Sequence, residues 1–290
     1  MGKLVRMLTA DGAVVVTAVD STDIVNEMHS HHKTLEVASA ALGRLLTAAS
    51  LMGYNLKNET DSLTLQIRGD GPLGNLTAVS DYMGNVRGYV ENPTVQLPLN
   101  SKGKIDVGGG VGEGELYVVK DLSMKEPYSG CIPLVSGEIA EDITEYYAVS
   151  EQTPTVCALG VLVDRDYKIK CAGGYLLHLL PFTPDETIDK IEENLSKMPS
   201  ITNMMLEGKG PEDFCRMLLE GMEPDILDQT ETKYRCKCSR EKTIKAIISL
   251  PKEDVKELSE DEDITVDCRF CSKKYVFTKN ELLKLINERG

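Results

Sequence analysis

Through most of the first 180 residues apolar and polar positions alternate over short runs. Leu63, Leu65 and Ile67 fall on one side of an extended chain, and Gly69-Asp70-Gly71-Pro72 ends that run with turn chemistry. Asp11-Gly12 lies between apolar runs at residues 4–8 and 13–19, a hairpin signature. Residues 76–79, 86–90, 116–119, 156–163 and 167–171 read as further strands. One clear helix interrupts them: Leu35, Ala38, Ala41, Leu42, Leu45, Ala49 and Met52 recur every three or four residues up to Gly53. The pattern predicts an α+β protein whose mixed α/β N-terminal domain, residues 1–181, has a β-rich core with this helix packed on it.

The periodicity changes after Pro181. Ile188, Ile191, Leu195 and Met198 form one helical stripe, and Phe214, Met217 and Leu218 begin another. Isolated helices shorter than about 12–15 residues are marginal in water, so these need a neighbour to dock on. Residues 182–231 therefore read as a metastable, Met-rich helical linker. Residues 232–290 run as cysteine pair, helix, acidic loop, strand, cysteine pair, helix, with Thr278 and Glu281 as the capping box of a final helix carrying Leu282, Leu283 and Ile286.

Charge sharpens the picture. Of the net charge of −14, nine units come from residues 182–231, with thirteen Asp or Glu against four Lys or Arg. So acidic a chain repels nucleic acid and anionic lipid. No apolar run approaches the ~18 residues of a membrane span, no apolar leader follows Met1, and Arg6 stands where a myristoylation signal needs Ser or Thr. A cytosolic location is expected, where thiols are kept reduced and eight cysteines are ligands, redox centres or core residues rather than standing disulfides.

Spacing sorts them. Cys236-Lys237-Cys238 and Cys268-Arg269-Phe270-Cys271, with 29 residues between the pairs, match a tetrahedral four-thiolate zinc site, one zinc per chain. All four positions would be filled, leaving no place for an activated water. Arg235, Lys237, Arg240, Arg269, Lys273 and Lys274 are expected to balance its charge and favour thiolates. Each pair is close enough in sequence for an internal disulfide once metal is lost, so structural and redox-switching roles both stand. Loss of zinc should unfold the third unit and loosen the linker. Cys131, Cys157, Cys171 and Cys215 read as core thiols, His29, His31 and His32 as a solvated loop beside a helix start, and the glycine run 108–114 as a mobile or tightly turned loop lacking the phosphate-loop pattern.

These cysteines, with Ser239-Arg240-Glu241 after the first pair, carry a resemblance that other segments extend over almost the whole chain. They are Ala41-Leu42-Gly43-Arg44-Leu45-Leu46, Gly69-Asp70-Gly71-Pro72, Gly88-Tyr89-Val90-Glu91-Asn92-Pro93, Gly137-Glu138-Ile139-Ala140-Glu141-Asp142, Ser150-Glu151-Gln152-Thr153-Pro154 and Ala172-Gly173-Gly174. The chain resembles the heat shock protein 33 family, redox-regulated holdase chaperones of the bacterial cytosol. His178 departs from the pattern, where Gln is expected. The resemblance implies a non-enzymatic, ATP-independent homodimer, inactive when reduced and zinc-bound. It implies disulfides Cys236–Cys238 and Cys268–Cys271 on oxidation, zinc release, linker unfolding, and binding of unfolded clients with hand-off to ATP-dependent chaperones. Ile188, Ile191, Leu195, Met198, Phe214 and Met217 are the expected client-binding side chains. Two other readings compete: a zinc-ribbon nucleic-acid-binding regulator, which needs a basic face, and a thiol oxidoreductase, which needs a helix where Tyr275-Val276-Phe277 reads as strand.

Overall fold

Gly12 takes a φ of +71°, and this closes the expected hairpin between β1 (Gly2–Leu8) and β2 (Val14–Asp20), with Leu4 opposite Val19. The computed structural model describes residues 2–251, 254–255 and 263–287. By internal contacts the chain divides into two units, Met1–Arg235 and Cys236–Gly290. The fold is α+β.

In the first unit β1 and β2 are followed by α1 (Thr22–His32) and α2 (Glu36–Gly53), then β3 (Ser62–Gly69), β4 (Leu76–Asp81) and β5 (Val86–Val90). Next come α3 (Val107–Val111), β6 (Gly114–Asp121), β7 (Tyr128–Pro133), α4 (Ala140–Tyr146) running into a π-turn, β8 (Thr155–Val163) and β9 (Ile169–Leu179). Three helices, α5 (Asp185–Lys197), α6 (Ile201–Leu206) and α7 (Pro211–Leu218), precede β10 (Asp225–Thr232). The strands form two antiparallel five-stranded sheets, ordered β10-β1-β2-β9-β8 and β5-β4-β3-β6-β7.

Helix α2 lies between them, touching β4 and β5 on one side and β8 and β9 on the other. The sequence stripe accounts for one face only. Ala40, Leu46, Ala48 and Leu51 are buried too, so apart from Glu36 and the half-buried Arg44, which pairs with Glu138, the helix is apolar or small all round, as enclosure requires. Gly43 shows how close the packing is: a Cβ there would lie 2.9 Å from Val25 and 3.0 Å from Val161.

The first sheet is covered on both faces. Its inner face meets α2, while the outer face, with Val5, Met7, Val14, Val16, Tyr175 and Leu177, packs under Ile191, Ile201, Met204, Phe214 and Leu218 of α5–α7. Asn194, buried in α5, donates to the carbonyls of Leu218 and Glu220 at 3.0 Å each and ties α5 to the end of α7. Residues 182–231 thus contribute a layer over the sheet and also its edge strand β10, which the sequence pattern did not reveal.

Three further details differ from the sequence reading. His29, His31 and His32 form the last turn of α1, whose short buried stripe Ile24, Val25 and Met28 is masked by polar neighbours. The glycine run contains α3, and its backbone lies against the 69–72 turn: Gly71 and Leu73 donate to Val111 and Gly110 at 2.9 and 3.0 Å. Strand β7 was unforeseen because it is mostly exposed and does not alternate. Among the described residues no helix is long and apolar enough to cross a membrane.

His178 is buried, its Nδ1 2.8 Å from the Thr155 hydroxyl and its ring against Tyr147 with centroids 4.7 Å apart. Burial above all, with Arg6 and Lys120 adding to it, brings its pKa from 6.5 down to about 4. An unfolded chain takes up this proton near pH 6.5, so folding stability should be full above that pH and decline as pH falls toward 4. His178→Gln should flatten that slope; urea midpoints at pH 7 and pH 5 measure it, and identical slopes in the two proteins would refute the assignment. In the enclosed helix, Leu45→Ala should cost about 2–5 kcal/mol of first-unit stability, read from the same midpoints.

Candidate metal centre

The second unit begins with Cys236 and Cys238 on an extended segment. Ser239 caps the next helix, α8 (Arg240–Ser249), its hydroxyl accepting from the Lys242 amide at 3.2 Å. Strands β11 (Asp263–Asp267) and β12 (Lys274–Thr278) form an antiparallel hairpin, and Cys268 and Cys271 stand in its turn. That turn is closed by Cys268 N–H to Lys273 O at 2.9 Å and Ser272 N–H to Cys268 O at 2.8 Å. The capping box read from sequence is present at the start of α9 (Lys279–Asn287), with Thr278 N–H donating to Glu281 at 2.9 Å and Glu281 N–H to the Thr278 hydroxyl at 3.4 Å.

Cap and hairpin turn bring four half-buried thiols together. Their sulfurs all lie within 4.8 Å of one another, with Cys236 Sγ 3.6 Å from Cys268 Sγ and Cys238 Sγ 3.5 Å from Cys271 Sγ. A zinc with four sulfurs at about 2.3 Å places those sulfurs about 3.8 Å apart, so the donor set fits a tetrahedral metal. The four cysteines singled out by spacing are the ones that converge. Cys171 and Cys215 are buried elsewhere, Cys157 is half-buried, and Cys131 is exposed rather than a core thiol, on edge strand β7.

Tyr275 is the residue that spacing could not supply. Its hydroxyl donates to Cys238 Sγ at 3.1 Å. Burial opposes ionisation of Cys238, but this hydrogen bond and those from the other three cysteines outweigh it and bring the thiol down to about 7; burial pushes Cys236 and Cys271 up. Two neighbouring cations also tie the unit together. Arg240 donates to the Val276 carbonyl at 2.8 Å and to Glu281 at 2.7 Å and lies over the Phe277 ring, while Lys242 reaches the Lys237 carbonyl at 2.9 Å. Arg240 thereby clasps α8, β12 and α9.

The expected client-binding side chains occupy the layer over the first sheet. Ile191 and Phe214 are buried there, Leu195, Met198 and Met217 pack partly exposed against the same cluster, and Ile188 lies apart in a cleft with Leu179 and Phe182. Reading from spacing missed the other half of that contact, the outer sheet face of Val5, Met7, Val14, Val16, Tyr175 and Leu177. The unbroken apolar run 13–16 was its signal, since a strand buried on both faces does not alternate.

A helix enclosed by two antiparallel sheets, followed by a small unit in which four thiols converge, defines a two-unit α+β protein with a tetrathiol metal-binding module. The model of the Hsp33 protein family matches residues 2–278. The 33 kDa chaperonin of Clostridioides difficile (strain 630) is 47% identical, covering 98% of each chain, and that of Acetivibrio thermocellus is 45% identical, covering 98% of this chain and 96% of the relative. The crystal structure of the 33 kDa chaperonin (heat shock protein 33 homolog) from Thermotoga maritima superposes with a TM-score of 0.93 at 37% identity, over 99% of this chain and 98% of that one. The chain belongs to the Hsp33 family.

A metal at this centre should be stoichiometric with the chain. Cys268→Ser, or the equivalent change at any of the other three positions, should remove it, as metal analysis after gel filtration will measure; full retention by all four variants would locate the metal elsewhere.

Proposed function

We propose that this chain is a redox-regulated, ATP-independent holdase chaperone of the cytoplasm, working as a homodimer that binds unfolding proteins and passes them to ATP-dependent chaperones. In the reduced form Cys236, Cys238, Cys268 and Cys271 hold one zinc. Residues 1–181 are the core and dimerisation domain, residues 182–231 the metastable segment, and residues 232–290 the switch. The carrying observation is the convergence of four cysteines in a unit with little else to hold it, in a chain of this family.

Zinc, when bound, supplies a closed crosslink among four thiolates and no open coordination position. The surrounding apolar cluster is small, with Ile247, Val255, Ile264, Tyr275, Phe277 and Leu282 buried. A unit of fewer than about 60 residues rarely draws more than about 3–5 kcal/mol from its core, whereas a structural zinc contributes about 10–16 kcal/mol. The thiols therefore decide whether this unit is folded.

A peroxide-class oxidant takes two electrons from the two thiolates of each pair, forming one sulfur–sulfur bond per pair, and two protons from solvent carry the oxygens of hydrogen peroxide away as two waters. The reading assigns Cys236 to Cys238 and Cys268 to Cys271. The shortest sulfur contacts are across the pairs, but they depend on the fold around the centre; as it loosens, one intervening residue keeps Cys236 near Cys238 while 29 separate Cys238 from Cys268. Disulfides leave no thiolates for the metal. In this reading residues 182–231 then loosen, and Ile191, Leu195, Met198, Phe214 and Met217 become available to clients together with the sheet face beneath them. Ile188, at their margin, joins them.

The direct test compares reduced and peroxide-treated protein for zinc content, free thiols and suppression of aggregation of an unfolding enzyme. Activity should appear with zinc release; equal activity in both forms would end the redox reading. Amides of residues 188–227 should lose hydrogen-exchange protection on oxidation while those of β3 keep theirs, and a linker that stays protected while activity appears would break the coupling. Tyr275→Phe removes a hydrogen bond that stabilises charge on Cys238, so its sulfur becomes more nucleophilic and zinc release by peroxide should speed up several-fold. A stopped-flow zinc indicator measures it, and an unchanged rate would show that Tyr275 does not restrain Cys238.

A further inference from the structure

Strand β10 is the least embedded strand of the first sheet. It pairs with β1 over the whole length of that strand, yet Asp225, Ile226, Leu227, Gln229 and Glu231 are exposed, and the pairing is interrupted by a bulge at Leu227, between the Arg6–Asp228 and Met7–Ile226 pairs. On the outer face it sets Gln229 beside Val5 and Glu231 beside Lys3, so a polar side chain faces a buried apolar one. Its firmest side-chain anchor is Asp228, which accepts from the Tyr54 hydroxyl at 2.6 Å and lies 3.7 Å from the Arg6 guanidinium.

The same stretch goes on to cover a second edge. Val86 N–H donates to the Lys233 carbonyl at 3.0 Å, Arg235 N–H donates to the Val86 carbonyl at 2.7 Å, and the buried Tyr234 hydroxyl donates to the Gly88 carbonyl at 2.9 Å. Since β5 is an outer strand of the second sheet and β1 would be one without β10, residues 225–235 form a strap over the edges of both sheets. An uncovered edge is a template for another chain.

We propose that β10 is a displaceable edge cap, and that an extended segment of an unfolded client takes its place on β1 with apolar side chains beside Val5 and Met7. The inference rests on the preceding reading, in which residues 182–231 leave the first unit on oxidation. Main-chain hydrogen bonds to β1 are available to any sequence, which suits a binder of many clients, while the face flanking β1, with Val5, Met7, Val16 and Leu177, favours a strand apolar on alternate positions. β10 places Ile226 beside Met7 but only Gln229 beside Val5, and with that mismatch and its bulge it is the weaker competitor once α5–α7 have moved.

The test uses full-length oxidised protein and, as probe, lysozyme kept unfolded by carboxamidomethylation of its cysteines. Oxidation should lower hydrogen-exchange protection of the β1 amides at least tenfold. Added probe should restore it at least fivefold while the β10 amides stay fast. Gln229→Val gives β10 the apolar side chain it lacks beside Val5, and should weaken probe binding several-fold with zinc content and disulfide formation unchanged. Bound probe with β1 still open, β10 protected within the complex, or unchanged affinity in Gln229→Val would each overturn the proposal and leave the chaperone reading standing. Oxidised protein that neither binds the probe nor suppresses aggregation would overturn both.

Discussion

The second unit has six buried apolar side chains among the described residues, two of them aromatic, and this shortage is the constraint on which the rest depends. A core that small leaves folding close to balance, so the approach of four sulfurs to within 4.8 Å is a condition of the fold as much as a product of it. The capped start of α8, the turn of the β11–β12 hairpin and the Arg240 clasp to Val276 and Glu281 all serve to set those sulfurs at their corners. Under the proposed function, a unit held mainly through its thiols is sensitive to whatever happens to thiols. Tyr275 adds a bias among them by donating to Cys238 alone.

The first unit is built on the opposite principle. Enclosed between two sheets, α2 has no exposed face, and the small residues along it allow both sheets to approach. This part draws its stability from burial. Its outer layer is different in kind: α6 and α7 have six and eight residues, too short to persist alone; they hold to the sheet through one apolar face, and Asn194 ties α7 to α5. The longer α5 exposes Asp185, Glu186, Asp189, Glu192 and Glu193 on its other side. Under the proposed function, these unequal layers let the body lose the outer one and keep its fold.

Under the proposed function, the acidic character of residues 182–231 works in both states. In the docked state Asp228 of β10 lies 3.7 Å from Arg6 of β1, and Glu212 of α7 lies 4.0 Å from Lys3 of β1, complementary pairs on a partly exposed surface where each contributes little. In the released state the same carboxylates repel one another and keep an opened, apolar segment in solution. Weak pairing and strong mutual repulsion favour a segment that leaves readily and does not aggregate.

The sequence by itself determined the elements with a strong local period and the chemistry with a strict spacing: the β1–β2 hairpin from Asp11-Gly12, the β3 alternation, one face of α2, the Thr278–Glu281 cap and the four converging cysteines. Each is encoded within a few neighbouring residues, except the cysteines, whose two pairs come together only if a metal-sized centre joins them. Tertiary structure decided what depends on a distant partner. β10 is a strand because β1 offers it hydrogen bonds, although Asp225, Asp228 and Glu231 give it no alternation of its own. α2 is buried all round because a second sheet closes over it, and Tyr275 reaches Cys238 because the hairpin folds back across 37 residues. The three histidines end a helix instead of starting one because Ile24, Val25 and Met28 find the core from a stretch too short and too polar to declare its period. Local pattern fixes what a segment can become; the free energy that chooses among the options is gained on burial against parts of the chain that the pattern does not contain.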